Sequence, residues 1–209
     1  MDSVLPGMNA DELYKLILSK YPNIGEKIVC DLHKPCHKQR QCPDKVTTRL
    51  IDFDEVKTEF SKVEKIAASA SVDGVTYKGQ IFCFVELKGW KEFLKHNQPP
   101  TDAGITEQSG KYNLKDKYEC SRSICERLSE NNDLFASIEN VFILVTDIDI
   151  SENPLLQFQS NINALAQTST IWEYKCNNAL KSELNKQIKT IKKYYTNCRC
   201  LDQTLAQIS

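Results

Sequence analysis

The chain has 209 residues, 41% of them hydrophobic and 26% charged, with a formal net charge of −1. That is enough for one domain with a genuine core, but too balanced for a uniformly basic surface, so nucleic-acid binding would need a local patch. The longest apolar runs, such as VFILV, are far too short to span a bilayer, and no positive segment followed by a long apolar one marks a secretory signal. The expectation is a single cytoplasmic domain over 1–209 with no membrane partner.

In chain order, ADELYKLILSKY places Leu13, Leu16, Ile17 and Tyr21 at helical spacing, and Pro22 ends the pattern. Residues 23–49 carry Pro35, Pro43 and two of the three histidines and read as a long loop or an inserted subelement. DFDEVKTEFSKVEK, with Val56, Phe60 and Val63 on one face, suggests a second helix. Residues 65–77 suit a strand rich in small side chains, YKGQ a turn, and IFCFVELKG a buried strand, which together make a hairpin.

From Trp90 to Lys111 the polar sequence with its Pro-Pro pair suggests a loop. Helical spacing resumes from about Leu114 to Leu128, and NVFILVTDI is of strand length. NPLLQFQSNINALA reads as a helix, STIWEYKC as a short strand, and NALKSELNKQIKTIKKYY as a closing helix with Leu180, Leu184, Ile188, Ile191 and Tyr195 on its apolar side. The sum is an α/β fold, a mixed central sheet with helices on both faces.

The hairpin poses the chemical question. On a strand side chains alternate, so Phe82, Phe84, Glu86 and Lys88 share one face while Ile81, Cys83, Val85 and Leu87 share the other. Both faces are apolar until the charged end, and a charge on a buried strand costs several kcal/mol unless it is paired or holds a metal. Across the turn, Asp73 falls on the partner strand near the same end, followed by Gly74, which would let a backbone or a phosphate come close. Two carboxylates converging with a lysine suit a hard divalent cation such as Mg²⁺, which takes one or two protein carboxylates and keeps waters for the substrate phosphate.

An aspartate, a strand turn of about a dozen residues and then Glu-x-Lys on a hydrophobic strand resembles the core of the PD-(D/E)XK nuclease superfamily, the restriction-endonuclease-like fold. The matching positions are Asp73, Glu86 and Lys88, within VDG and FVELKG. The order of elements over roughly 53–150 is similar to that family's αβββαβ core. The resemblance implies Mg²⁺- or Mn²⁺-dependent phosphodiester hydrolysis, with Asp73 and Glu86 holding metal, the Leu87 carbonyl as a further ligand, and Lys88 assisting the attacking water. It also implies a glutamate from the preceding helix, for which Glu55, Glu59 and Glu64 all qualify. Val72 stands where many members have proline. Glu-x-Lys by itself carries little weight, since it recurs at Glu55/Lys57 and Glu173/Lys175. In the first of these a helix would set the two side chains about 200° apart. The second lies on an expected strand, but without an aspartate on an adjoining hairpin.

CDLHKPCHKQRQC gathers Cys30, His33, Cys36, His37 and Cys42. Structural Zn²⁺ is one reading, with help from Cys176, Cys198 or Cys200, but the spacing is not a usual paired Cys-x₂-Cys pattern. Reduced thiols rank ahead of zinc, and zinc ahead of a disulfide, in a cytoplasmic chain. Lys34, Lys38 and Arg40 could contact phosphates instead, and His96 reads as solvent-facing. Between Ile171 and Cys200, seven basic residues face two acidic ones, either a solvated helix face or a phosphate-binding patch. The functional expectation is a metal-dependent endonuclease acting on DNA, ahead of RNA, in a setting such as restriction, phage defence or recombination, as a homodimer or with a partner subunit. The alternative is a catalytically inactive nuclease-fold subunit that binds nucleic acid or a partner protein. A zinc-stabilised interaction module is a third reading.

Overall fold

A computed structural model describes residues 8–32, 46–67, 69–97, 100–148, 150 and 169–209. The fold is α/β, built on one six-stranded mixed open sheet: β1 (Glu26–Ile28), β2 (Arg49–Asp52), β3 (Gly74–Lys78), β4 (Ile81–Lys88), β5 (Asn140–Thr146) and β6 (Lys192–Asn197), lying side by side in chain order. The first four strands pair antiparallel, and β5 and β6 continue parallel to β4. The helices are α1 (Ala10–Lys20), α2 (Val29–Leu32), α3 (Phe53–Glu64), α4 (Lys91–His96), α5 (Asp102–Gly110), α6 (Leu114–Leu128), α7 (Leu134–Ser137), α8 (Ser169–Gln187) and α9 (Leu201–Gln207), with a 3₁₀ turn at Cys198–Cys200. Among the described residues no helix is long and apolar enough to cross a membrane.

Strand alternation sorts the apolar residues into two cores. Phe82 and Phe84 pack with Val75, with Leu13 and Ile17 of α1, Val56 and Phe60 of α3, Tyr118 and Leu128 of α6, and Leu180 and Leu184 of α8. Ile81, Cys83, Val85 and Leu87 join a smaller core with Val29, Val46, Leu201, Leu205 and Ile208. Both faces of β4 are covered, as its continuous apolar run requires, but one cover is thick and the other rests on short helices. The β3–β4 turn uses Gly79 at φ +58°, a left-handed conformation that costs a glycine little.

Several expectations change. Strand β3 begins only at Gly74, so residues 65–67 and 69–73 are not strand and Asp73 lies just ahead of the strand rather than on it. The expected loop from Trp90 to Lys111 contains α4 and α5. Neither shows much apolar periodicity; they are fixed by caps, since Asp147 accepts the Trp90 and Lys91 N–H groups and the Thr101 hydroxyl accepts from Gly104 N–H.

STIWEYKC is helical, not a strand. Cys176, Leu180 and Leu184 fall at four-residue spacing on one buried face, and that face overrides the β-forming aromatics before it. The closing helix ends at Gln187, and the YYT that follows lies in β6, paired with Ile143 to Val145. Tyr195 therefore stands on a strand, its hydroxyl donating to Asn177 of α8. Residues 23–49 supply β1, α2 and the first residue of β2, and the expected helix at 153–166 lies outside the described residues.

Candidate active site

The charged end of β4 opens onto a cleft of about 490 Å³ whose lining includes Asp52, Asp54, Glu55, Asp73, Lys88 and Tyr112. Antiparallel pairing of Gly74 with Val85 brings the residue before β3 alongside the end of β4, and the Leu87 N–H donates to the Asp73 carboxylate at 2.6 Å. Glu86 is not part of the cleft lining: it is 0% exposed. Its Oε1 receives the ammonium groups of both Lys88 and Lys117, the latter at 2.7 Å, while its Oε2 has no hydrogen-bond partner.

Burial, with the like charge of Asp73 adding to it, pushes the Glu86 carboxyl up to about 7. For Lys88 burial opposes the charge, but the Glu86 and Asp73 carboxylates outweigh it and hold the ammonium above the usual lysine range. The Lys88 ammonium also sits 4.8 Å from the centre of the Tyr112 ring. The three expected residues are thus brought together: Asp73 bonds the backbone next to Glu86 and acts on it electrostatically, and Lys88 bonds Glu86 directly.

Helix α3 adds carboxylates to the same cleft. Of the three glutamates considered, Glu55 lines it and pairs with Lys27 at 2.9 Å, which also holds Asp52 at 2.9 Å. Glu59 pairs with Lys62, and Glu64 turns to Arg127 of α6. Asp54, which sequence reasoning passed over, also lines the cleft. Burial opposes its ionisation, yet hydrogen bonds from Ser71 and Lys57 outweigh this and hold its carboxyl below the usual range.

Lys117 and Tyr112 were missed as well. Lys117 could have been found by winding α6 as a helix, since it borders the buried face of Leu114, Tyr118 and Ser121 and therefore points near the sheet. At Gly74 it is the neighbouring strand that comes close: a Cβ there would meet Leu50 Cβ and Cδ1 at 3.0 Å and the Ile51 carbonyl oxygen at 3.3 Å, so the residue permits close packing against β2.

Among the described residues, no three His, Cys, Asp or Glu side chains gather as a ready-made metal shell. Asp73, which lines the cleft, and Glu86, with its orphaned buried oxygen, are nevertheless donors of the type a hard divalent cation takes. Of the cysteine and histidine cluster, only Cys30 is among the described residues, and His33, Cys36, His37 and Cys42 lie outside them. Cys176 and Cys198 belong to cores on opposite faces of the sheet, so they do not join in one zinc site, and burial pushes the Cys176 thiol up to about 12. His96 is exposed at the end of α4, as expected.

The basic C-terminal residues are spread over α8, β6 and the 3₁₀ turn, and several have local partners: Lys175 pairs with Asp102, Lys186 with Glu183, and Lys193 donates to the Ile188 carbonyl. No protein-family model, curated protein or solved structure matches the chain.

Proposed function

We propose that this protein is a metal-dependent nuclease that hydrolyses phosphodiester bonds in nucleic acid, DNA ahead of RNA, on a restriction-endonuclease-like core. One observation carries the reading. A wholly buried glutamate with an unpartnered oxygen sits at a strand end beside a second carboxylate and a lysine that both line an open cleft. Structural ion pairs rarely leave a buried carboxylate oxygen without a partner, because that oxygen then bears its full desolvation penalty.

The strand order supports the core. Strands β2, β3 and β4 run antiparallel, and the chain then crosses through helices to a parallel β5. Helix α3 falls between β2 and β3 rather than ahead of all three strands, which is a departure from the αβββαβ order.

Asp73 and Glu86 would hold Mg²⁺ or Mn²⁺, with the Leu87 carbonyl as a further ligand. When bound, the ion would supply Lewis acidity toward a phosphoryl oxygen and acidify a water. Lys88 holds its positive charge at the cleft wall, where it orients the attacking water and offsets charge growing on the phosphate. Glu55 and Asp54 border the same space from α3 and would order solvent around the cation.

The test is cleavage of plasmid and oligonucleotide DNA with and without Mn²⁺ by the wild type, Asp73→Ala and Glu86→Ala. Mn²⁺-dependent cleavage lost in both variants, by about a thousandfold, is expected. Retained cleavage in both would sink the site. DNA binding by the wild type without any cleavage would favour the catalytically inactive subunit.

A further inference from the structure

A carboxylate with no exposed surface needs partners for its charge, and Glu86 has two ammonium groups on one oxygen and none on the other. Lys88 comes from the same strand. Lys117 comes from α6, across the helix–sheet interface. Two donors on Oε1 fix the rotation of the carboxylate and leave Oε2 in reserve.

Helix α6 is well held for this task. Its first turn is capped by the Gln187 side-chain carbonyl, which accepts from Leu114 N–H and Lys115 N–H, and the Tyr118 hydroxyl donates to Asn140 at the start of β5. One turn beyond Lys117, the buried Ser121 hydroxyl accepts from Val72 N–H at 3.0 Å. Residues four apart share a helix face, so one face of α6 steadies Glu86 through Lys117 and the segment carrying Asp73 through Ser121.

We propose that Lys117 is a positioning residue that anchors Glu86 through Oε1, so that Oε2 is presented to a divalent cation shared with Asp73. This rests on reading those two carboxylates as the cation site.

Direct Mn²⁺ binding to the purified full chain, followed by electron paramagnetic resonance without nucleic acid, tests it. Lys117→Met weakens Mn²⁺ binding about tenfold, the range typical of lost outer-sphere support. Lys117→Arg restores it to within about threefold, and Lys115→Met, an exposed lysine of the same helix, binds as the wild type does. Lys117→Gln, also expected to weaken binding, replaces the Met variant if that variant does not fold. Binding by Lys117→Met equal to or tighter than wild type overturns the proposal, and tighter binding is what a lysine merely competing with the cation would give.

Asp73→Ala separates the two layers. Loss of binding there with unchanged binding in Lys117→Met removes Lys117 alone, whereas unchanged binding in Asp73→Ala, or none in the wild type, removes the cation site. In that second event the metal-free crystal structure of Lys117→Met decides the positioning role: a displaced Glu86 carboxylate upholds it, and one left in place overturns it.

Discussion

The segments Glu86–Lys88 and Glu173–Lys175 spell the same pattern, and both were expected on strands. Only the first is on one. On β4 the two-residue period turns both side chains to one side, and Lys88 closes on Glu86 with side-chain exposures of only 14% and 0%. On α8 the pattern winds apart, and Lys175 finds Asp102 and the Trp172 ring instead. Glu55 and Lys57 on α3 do likewise, Lys57 pairing with Asp54. What separates the first from the others is backbone period and burial, not composition.

Lys88→Met is the sharpest way to break this comparison. Cleavage should fall about a hundredfold, measured as kcat/KM on a defined DNA duplex, and a loss below threefold would make Lys88 a structural partner only. The pH dependence of stability follows. Glu86 ionises at about 7 in the folded chain against an ordinary value of 4.5, so its contribution to stability is fully present below 4.5 and is lost as pH rises through about 7. Urea midpoints of wild type relative to Glu86→Gln, taken from pH 4 to 8, should fall across that window, and a flat difference would mean that the buried carboxylate is not strained.

Gly74→Ala should destabilise the fold by about 1–3 kcal/mol, seen as a lower urea midpoint, because the new methyl overlaps Leu50 on β2. Lys175→Met, the smallest effect, should change cleavage less than twofold, within the range of a surface ion pair. A loss like that of Lys88→Met would erase the contrast between the two segments.

The hairpin was legible because IFCFVEL carries both a strand's composition and a charged end, and because Asp73 and Glu86 are separated by one turn. Helices α1, α3 and α6 were legible from apolar spacing. What escaped was set by distant partners. Helix α4 exists because Asp147 caps it, β6 forms because β5 offers an edge, and Lys117 joins the site because α6 lies over β4. Helical spacing marks Lys117 only as a neighbour of the buried face of α6, and its contact with Glu86 depends on where that helix lies on the sheet. Trp172 and Tyr174 misled for the opposite reason, since their strand preference yields to the buried face that starts at Cys176.

The strands lie in the sheet in the order in which they are synthesised. Each strand after β1 therefore meets its neighbour already emerged from the ribosome, and Asp73, Glu86, Lys88 and Lys117 are all translated before β5 exists. Until Asn140–Thr146 arrives, β4 is an exposed edge of aromatic and branched side chains, the kind of nascent surface that invites aggregation. That edge stays open from the emergence of Lys88 until Thr146 has followed it out of the ribosome.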